Sequence, residues 1–261
     1  MAKKLYILSS GAGGDEFITK KALEALKDSE AVVAYRKYAK ELNHLLEGKE
    51  VFTSGMTKEI QRCKDAINLA KSGKTTAIIS NGDVNVYGMA TLIIELLDEM
   101  DLWEEIEVET IAGVTAILAV ASRVGAPISQ DFAVISLSDR LTSANLIKKR
   151  VKLALEGDFI LGIYNPKSRT RVKPYLDFLE ELSKVEERVI VVASNVGRPK
   201  EKIVITSSSD LIKKGEENRD ISMSTMLLVG NSNTKLTKNG LLLTPRGYLE
   251  KYNLDGDLKS E

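Results

Sequence analysis

The stretch TTAIISNGDVNVYGMATLIIELL, residues 75–97, sets the fold class. Thr75 to Ser80 is a short apolar run with β-branched side chains, the pattern of a buried strand. Ala90 to Leu97 is mostly apolar over a helical length. Asn81 to Met89 lies between them and is rich in small and polar residues. A buried strand that turns through such a loop into a buried helix is the unit of a parallel sheet covered on both faces.

The same alternation runs outward in both directions. Lys4 to Ser9 reads as a strand, Thr19 to Lys27 as a helix, and Ala31 to Tyr35 and Glu50 to Thr53 as strands. In Lys58 to Ser72, Ile60, Cys63, Ile67 and Ala70 recur at helical spacing. Ile106 to Ile111 alternates as a strand. Further on, Thr115 to Val124, Ala144 to Glu156 and Val172 to Lys184 read as helices. Phe132 to Leu137, Phe159 to Tyr164, Val189 to Ser194, Lys202 to Thr206 and Met226 to Val229 read as strands. Only the short loop Val196 to Glu201 separates two of these, which predicts an antiparallel step and a mixed second sheet. The expected architecture is two α/β domains, residues 1–112 and 113–240, the first a parallel sheet with helices on both faces. A tail, residues 241–261, is expected to fray beyond Asn253.

Composition excludes several function classes. The chain has 261 residues, with 37 basic and 37 acidic side chains. No net field therefore draws it to nucleic acid or to an anionic membrane. One cysteine and one histidine leave no internal disulfide, no thiolate-rich metal site and no multi-histidine centre. The first residues, Met1 to Tyr6, run straight into a strand pattern without a signal-peptide profile, and no apolar run approaches 18 residues. The expectation is a cytoplasmic protein with no metal, no nucleic-acid partner and no membrane contact.

Parallel sheets place ligands at the carboxyl ends of their strands, and four loops leave such ends. In Ser9 to Asp15 the glycines sit at 11, 13 and 14, which misses the G-x-G-x-x-G spacing of dinucleotide sites. Asp15 stands where a phosphate loop carries lysine, which disfavours a phosphate-bearing ligand. A tight turn into a helix would explain the same residues. In Asn81 to Met89, Asp83 needs a partner, a ligand or solvent, because an unpaired carboxylate there costs several kcal/mol; helix capping is the alternative. In Ala112 to Ala116, Thr115 is either a ligand contact or an N-cap. In Tyr164 to Ser168, with Arg169, Arg171 and Lys173 following, four cations gather at a helix start, where the dipole opposes them. Such a loop suits carboxylate binding. His44 reads as a surface residue and Cys63 as core. Asp131 and Asp139 flank the Phe132 strand and read as exposed loop acids.

These loops together resemble the tetrapyrrole methylase family. The family pattern G-x-G-P-G-D-x-x-x-L-T is similar to Ser10 to Thr19, which has one residue fewer after Asp15, G-D-P-x-V-Y-G is similar to Gly82 to Gly88, and P-G-V-T-A to Ala112 to Ala116. Order and spacing also agree, over residues 4–235. Gly13, Val84 and Ala112 stand where the family has proline, and Ser10 where it has glycine; Asp15, Asp83 and Thr115 match. Ser54-Gly55-Met56, Phe132 to Asp139, Tyr164 to Ser168, Val229 to Ser232 and Thr244 to Tyr248 are similar to the branch that methylates C17 of precorrin-3B or cobalt-factor III.

The resemblance implies S-adenosylmethionine as methyl donor, S-adenosylhomocysteine as product, and methylation with ring contraction on the route to cobalamin. It implies a donor folded in a cleft between the domains. Gly82, Asp83, Val84, Val86, Thr115 and Ala116 would contact it from the first domain, and Asn165, Asn195 and Val196 from the second. It implies an anionic tetrapyrrole substrate against Ser10, Gly11 and Gly13. Arg36, Lys37, Lys167, Arg169, Arg171, Arg198 and Arg246 are the candidate cations for its carboxylates. Asp15 and Asp83 are the first candidates for a catalytic base, and a homodimer is implied. Three other readings stay open: methylation at a different carbon, a nucleotide-dependent oxidoreductase on a doubly wound fold, and a non-catalytic tetrapyrrole carrier. The glycine spacing and the lack of an acid on Ala31 to Tyr35 count against the oxidoreductase.

Overall fold

The computed structural model describes residues 3–259. Met1 and Ala2, before the first expected strand, and Ser260 and Glu261, in the expected tail, lie outside them. The chain divides into two compact units, Met1–Ala119 and Val120–Glu261.

The first unit is built from β1 (Lys4–Ser9), α1 (Lys20–Asp28), β2 (Ala31–Tyr35), α2 (Arg36–Glu41), β3 (Glu50–Ser54), α3 (Glu59–Lys71), β4 (Thr76–Ser80), α4 (Ala90–Glu99) and β5 (Glu107–Ile111). Its sheet has the order β3-β2-β4-β1-β5, and every pairing is parallel. Side chains alternate across a strand, so both faces of β1 are buried. Leu5 and Ile7 join Val33 and Ile78 against Cys63 and Ile67 of α3 and Ile93 and Leu97 of α4. Tyr6 and Leu8 join Val32, Ala34 and Ile79 against Ala22 and Leu26 of α1 and Ala39 of α2. Each large apolar side chain so buried contributes about 1.5–3 kcal/mol. The helix expected from Thr19 begins there: Thr19 Oγ1 accepts a hydrogen bond from the Ala22 N–H at 3.2 Å, a cap worth about 1 kcal/mol. Cys63 is fully buried. Burial pushes its thiol up to about 12, which leaves it an inert core residue.

Connections leave the adjacent carboxyl ends of β1 and β4 in opposite directions. After β1 the chain crosses to β2, beyond β4; after β4 it crosses to β5, beyond β1. That reversal is a topological switch point, the place where open α/β sheets bind ligands.

The second unit starts within α5 (Ala116–Val124). It continues through β6 (Gly125–Ala126), β7 (Phe132–Ser136), α6 (Ala144–Glu156), β8 (Ile160–Tyr164), α7 (Lys173–Leu182), β9 (Val189–Ser194), β10 (Lys202–Ser207), α8 (Ser208–Lys214), β11 (Thr225–Val229), β12 (Lys235–Leu236), β13 (Leu242–Leu243) and α9 (Tyr248–Lys251). The large sheet has the order β10-β9-β11-β8-β7. Only β7 and β8 pair in parallel; the other three pairings are antiparallel, so the sheet is mixed, as the short Val196–Glu201 connection predicts. Ile147 and Val151 of α6, Tyr175 and Phe178 of α7 and Leu211 of α8 cover one face.

The carboxyl-terminal stretch is more ordered than its composition implies. β13 pairs in parallel with β6 and antiparallel with β12. Thr244 is fully buried, its Oγ1 donating to the Pro127 carbonyl at 2.6 Å. The fraying expected beyond Asn253 is replaced by a closed turn. Asn253 Oδ1 accepts from the N–H groups of Asp255 at 3.0 Å and Asp257 at 2.9 Å, and the Lys259 N–H reaches the Lys251 carbonyl at 3.0 Å. An asparagine side chain that mimics a backbone turn explains this stop. Among the described residues no helix is long and apolar enough to cross a membrane.

Candidate functional site

At the switch point of the first unit, three loops are locked to one another. Gly11 and Gly82 exchange backbone hydrogen bonds at 3.1 and 2.7 Å, and the Ser10 N–H donates to the Ser80 carbonyl at 2.9 Å. Ser9, at the end of β1, accepts from the Val84 N–H at 2.9 Å. Asp83 then joins the second loop to the third. Its Oδ1 accepts from the Asn85 N–H and its Oδ2 from the Gly113 N–H, both at 2.8 Å. Gly113 is the tightest point. A Cβ there would lie 2.4 Å from Ser9 Cβ and 2.5 Å from the Gly82 carbonyl oxygen, so only glycine lets the three backbones meet.

The fold thus brings Gly82, Asp83, Thr115, Ser10 and Gly11 together. Thr115 supplies the carbonyl that accepts from Leu118 and Ala119 at the start of α5, at 3.1 and 3.2 Å. Val84 faces inward, 1% exposed and part of the core below α4, with its carbonyl accepting from the Ala90 N–H. Val86 is half-buried and its N–H closes a turn on the Asp83 carbonyl at 3.1 Å. Neither carboxylate oxygen of Asp83 is idle, which makes it a brace for these loops.

Two departures from the family pattern have structural consequences. Val84, in place of proline, owns the N–H that Ser9 accepts; proline has none to give. Gly13 has φ +135°, far from the value near −65° that proline fixes. The first loop therefore follows a path that the family's proline could not take.

The residues expected on the second unit share one edge of its sheet, at the carboxyl ends of β7, β8 and β9. Asn165 donates from Nδ2 to Ser136 Oγ at 3.0 Å. Asn195 and the buried Val196 follow Ser194, which hydrogen-bonds Thr225 at 2.9 Å. Glu201 accepts from the Gly197 N–H at 2.6 Å and pairs with Arg123, which holds this loop. Asn165 and Asn195 are left-handed, with φ of 51° and 54°, and Tyr87 in the first unit has φ 56°. Strained backbone of this kind gathers at ligand sites; for the bulky Tyr87, 54% exposed, it is the more costly.

The expected cations divide. Lys167 donates to the carbonyls of Glu216 and Asn218, at 2.5 and 2.9 Å, and lies over the Tyr175 ring, so it ties the fold. Arg171 lies near Met223 Sδ and 3.5 Å from Asp139, and its buried Nε has no hydrogen-bond acceptor. Lys37 pairs with Glu41 on its own helix. Arg36, at the carboxyl end of β2, Arg169 and Arg246 are exposed.

Sequence spacing gave no sign of two contacts. Ser9 reads as the last strand residue, and its acceptor role depends on β4 lying alongside. His44 reads as a surface histidine, yet its Nε2 lies 2.8 Å from Asp15 Oδ2, 29 residues away. No local pattern carries a pairing of that span.

The three switch-point loops contain no lysine or arginine. Small, main-chain-lined and uncharged but for the braced Asp83 and the exposed Asp15, they fit a nucleoside and a cationic sulfonium better than a phosphate. The chain matches the family of tetrapyrrole (corrin/porphyrin) methylases over residues 4–212. It is 40% identical, over 96% of its length and 100% of the other's, to a probable cobalt-factor III C(17)-methyltransferase of Methanocaldococcus jannaschii. A cobalt-factor III methyltransferase of Priestia megaterium is 38% identical over 98% of this chain, which spans 47% of that longer protein. A precorrin-3B C(17)-methyltransferase of Sinorhizobium is 31% identical over 95% of this chain and 98% of that one. The crystal structure of the methyltransferase CobJ superposes with a TM-score of 0.84 at 29% identity, covering 92% of this chain and 99% of CobJ. The chain belongs to the tetrapyrrole methylase family.

Proposed function

We propose that this chain transfers the methyl group of S-adenosylmethionine to C17 of cobalt-factor III, with ring contraction, in cobalamin biosynthesis. The observation that carries this reading is the end-to-end match at 40% identity to the Methanocaldococcus jannaschii relative. Identity to the precorrin-3B relative is lower, at 31%, which favours the cobalt-bearing substrate.

When bound, the sulfonium supplies an activated methyl whose departure leaves a neutral sulfide. The chain's task is to orient that methyl and exclude water. The main-chain groups of Gly82, Val86, Thr115 and Ala116 line the donor's place in the first unit. Asp83 fixes the second and third loops against each other, and Val84 anchors the second in the core. Asn165, Asn195 and Val196, at the carboxyl ends of β8 and β9, are the second unit's own candidate contacts. Arg36, Arg169 and Arg171 take the substrate's carboxylates, each charge-assisted contact contributing about 1.5–3 kcal/mol where desolvated; Ser10, Gly11 and Gly13 lie against the macrocycle. Asp15 is the exposed acid of the first loop and supports proton removal from the macrocycle.

Incubation with donor carrying a 13C-methyl group and cobalt-factor III tests the reading. The expected product holds one labelled methyl, placed on C17 by NMR. Label on another carbon would assign the chain to a different methylase, and no transfer to any precorrin would favour a carrier.

A further inference from the structure

Asp15 stands just after the Gly13–Gly14 turn of the first switch-point loop, and it has a partner. His44, in the 3-10 turn Asn43–Leu45 that follows α2, sets Nε2 2.8 Å from Asp15 Oδ2. Their side chains are 52% and 65% exposed. A pair so exposed adds at most about 1 kcal/mol to stability, so stability alone gives this contact little weight. Its chemistry is more distinctive. His44 is the chain's single histidine, and imidazole is the side chain whose ordinary protonation change lies near neutral pH. An ionised carboxylate only accepts, so Nε2 is the protonated nitrogen in this contact and the neutral ring carries its lone pair on Nδ1. That is the arrangement of a base held by an orienting acid.

We propose that His44, oriented by Asp15, is the general base for the methyl transfer; this rests on the reading in the preceding subsection and deepens it. As the methyl moves, the carbon–sulfur bond breaks with its electron pair going to sulfur. A carbon–carbon bond forms from an electron pair of the macrocycle. The macrocycle thereby gains one positive charge, which it discharges by losing one proton. His44 Nδ1 takes that proton and passes it to water, while Nε2–H stays on Asp15. Asp15 is then a positioning residue, and it is the charged group that the structure sets against His44.

The test uses untagged full-length protein, in which the imidazole signals can only be those of His44. Nitrogen-15 NMR is expected to find neutral His44 as the Nε2–H tautomer, and a mixture of tautomers in Asp15→Ala. With donor and cobalt-factor III, His44→Ala is expected to lower kcat about 100-fold, leave the Kd for S-adenosylhomocysteine unchanged, and recover in part with added imidazole. Asp15→Ala is expected to lower kcat less than His44→Ala does. An Nδ1–H tautomer in the wild type, or a kcat within twofold in His44→Ala, would overturn the proposal. If the wild type itself methylates no tetrapyrrole, the functional reading fails on its own, and the NMR still decides whether the pair exists.

Discussion

Gly113→Ala is expected to weaken S-adenosylhomocysteine binding by about 10- to 100-fold and to destabilise the protein by about 1–3 kcal/mol. The added methyl would sit 2.4 Å from Ser9 Cβ and 2.5 Å from the Gly82 carbonyl. Neither neighbour is the loose end of a flexible side chain. Ser9 is fully buried and holds the Val84 N–H, and Gly82 is bonded to Gly11 on both sides. The third loop must move away from the first two, at the cost typical of overpacking. Every 1.4 kcal/mol lost from the binding-competent arrangement is tenfold in affinity. Calorimetric titration and urea unfolding read the two effects; unchanged values for both would mean that the loops are not held by this contact.

The second large effect concerns Asp83. Asp83→Ala removes the acceptor from two main-chain N–H groups. Asn85 is exposed, so water replaces the carboxylate there at small cost. The Gly113 N–H is part-buried, and leaving it without an acceptor costs about 1–3 kcal/mol. The donor's Kd is expected to rise about tenfold or more, while kcat at saturating donor stays within about threefold. Asp83→Asn keeps an acceptor oxygen but loses the charge assistance, and is expected to fall between. A base would behave the opposite way, with kcat collapsing and the donor's Kd unmoved. Measured side by side, the two constants separate the brace from the base.

The sheets were legible because burial on both faces of a parallel strand removes polar residues from it, as in AVVAY at 31–35 and TAIIS at 76–80. Helices long enough to show a period, such as α3 and α6, were equally legible. α2 and α8 were not. They have six and seven residues, too few for an apolar period to declare itself, and tertiary packing fixes them. The closed turn at Asn253 escaped notice because Asp, Gly and Lys compose ordered turns and loose tails alike. At the candidate site the residue types and their order singled out three loops that the fold brings together. Their interlocking did not, since it depends on β4 lying beside β1 while being 72 residues later at its start, Lys4 to Thr76. The same holds for Lys167. Its run of neighbouring cations suggests substrate binding, and only the fold reveals the carbonyls of Glu216 and Asn218 around its ammonium.

A crystal structure of the full chain grown with saturating S-adenosylhomocysteine tests the central claim most directly. The expected result is ligand density against the main chain of Gly82 to Val86 and of Thr115 and Ala116, with the Asp83–Gly113 hydrogen bond intact. Density bound elsewhere, with those loops bare, would contradict it.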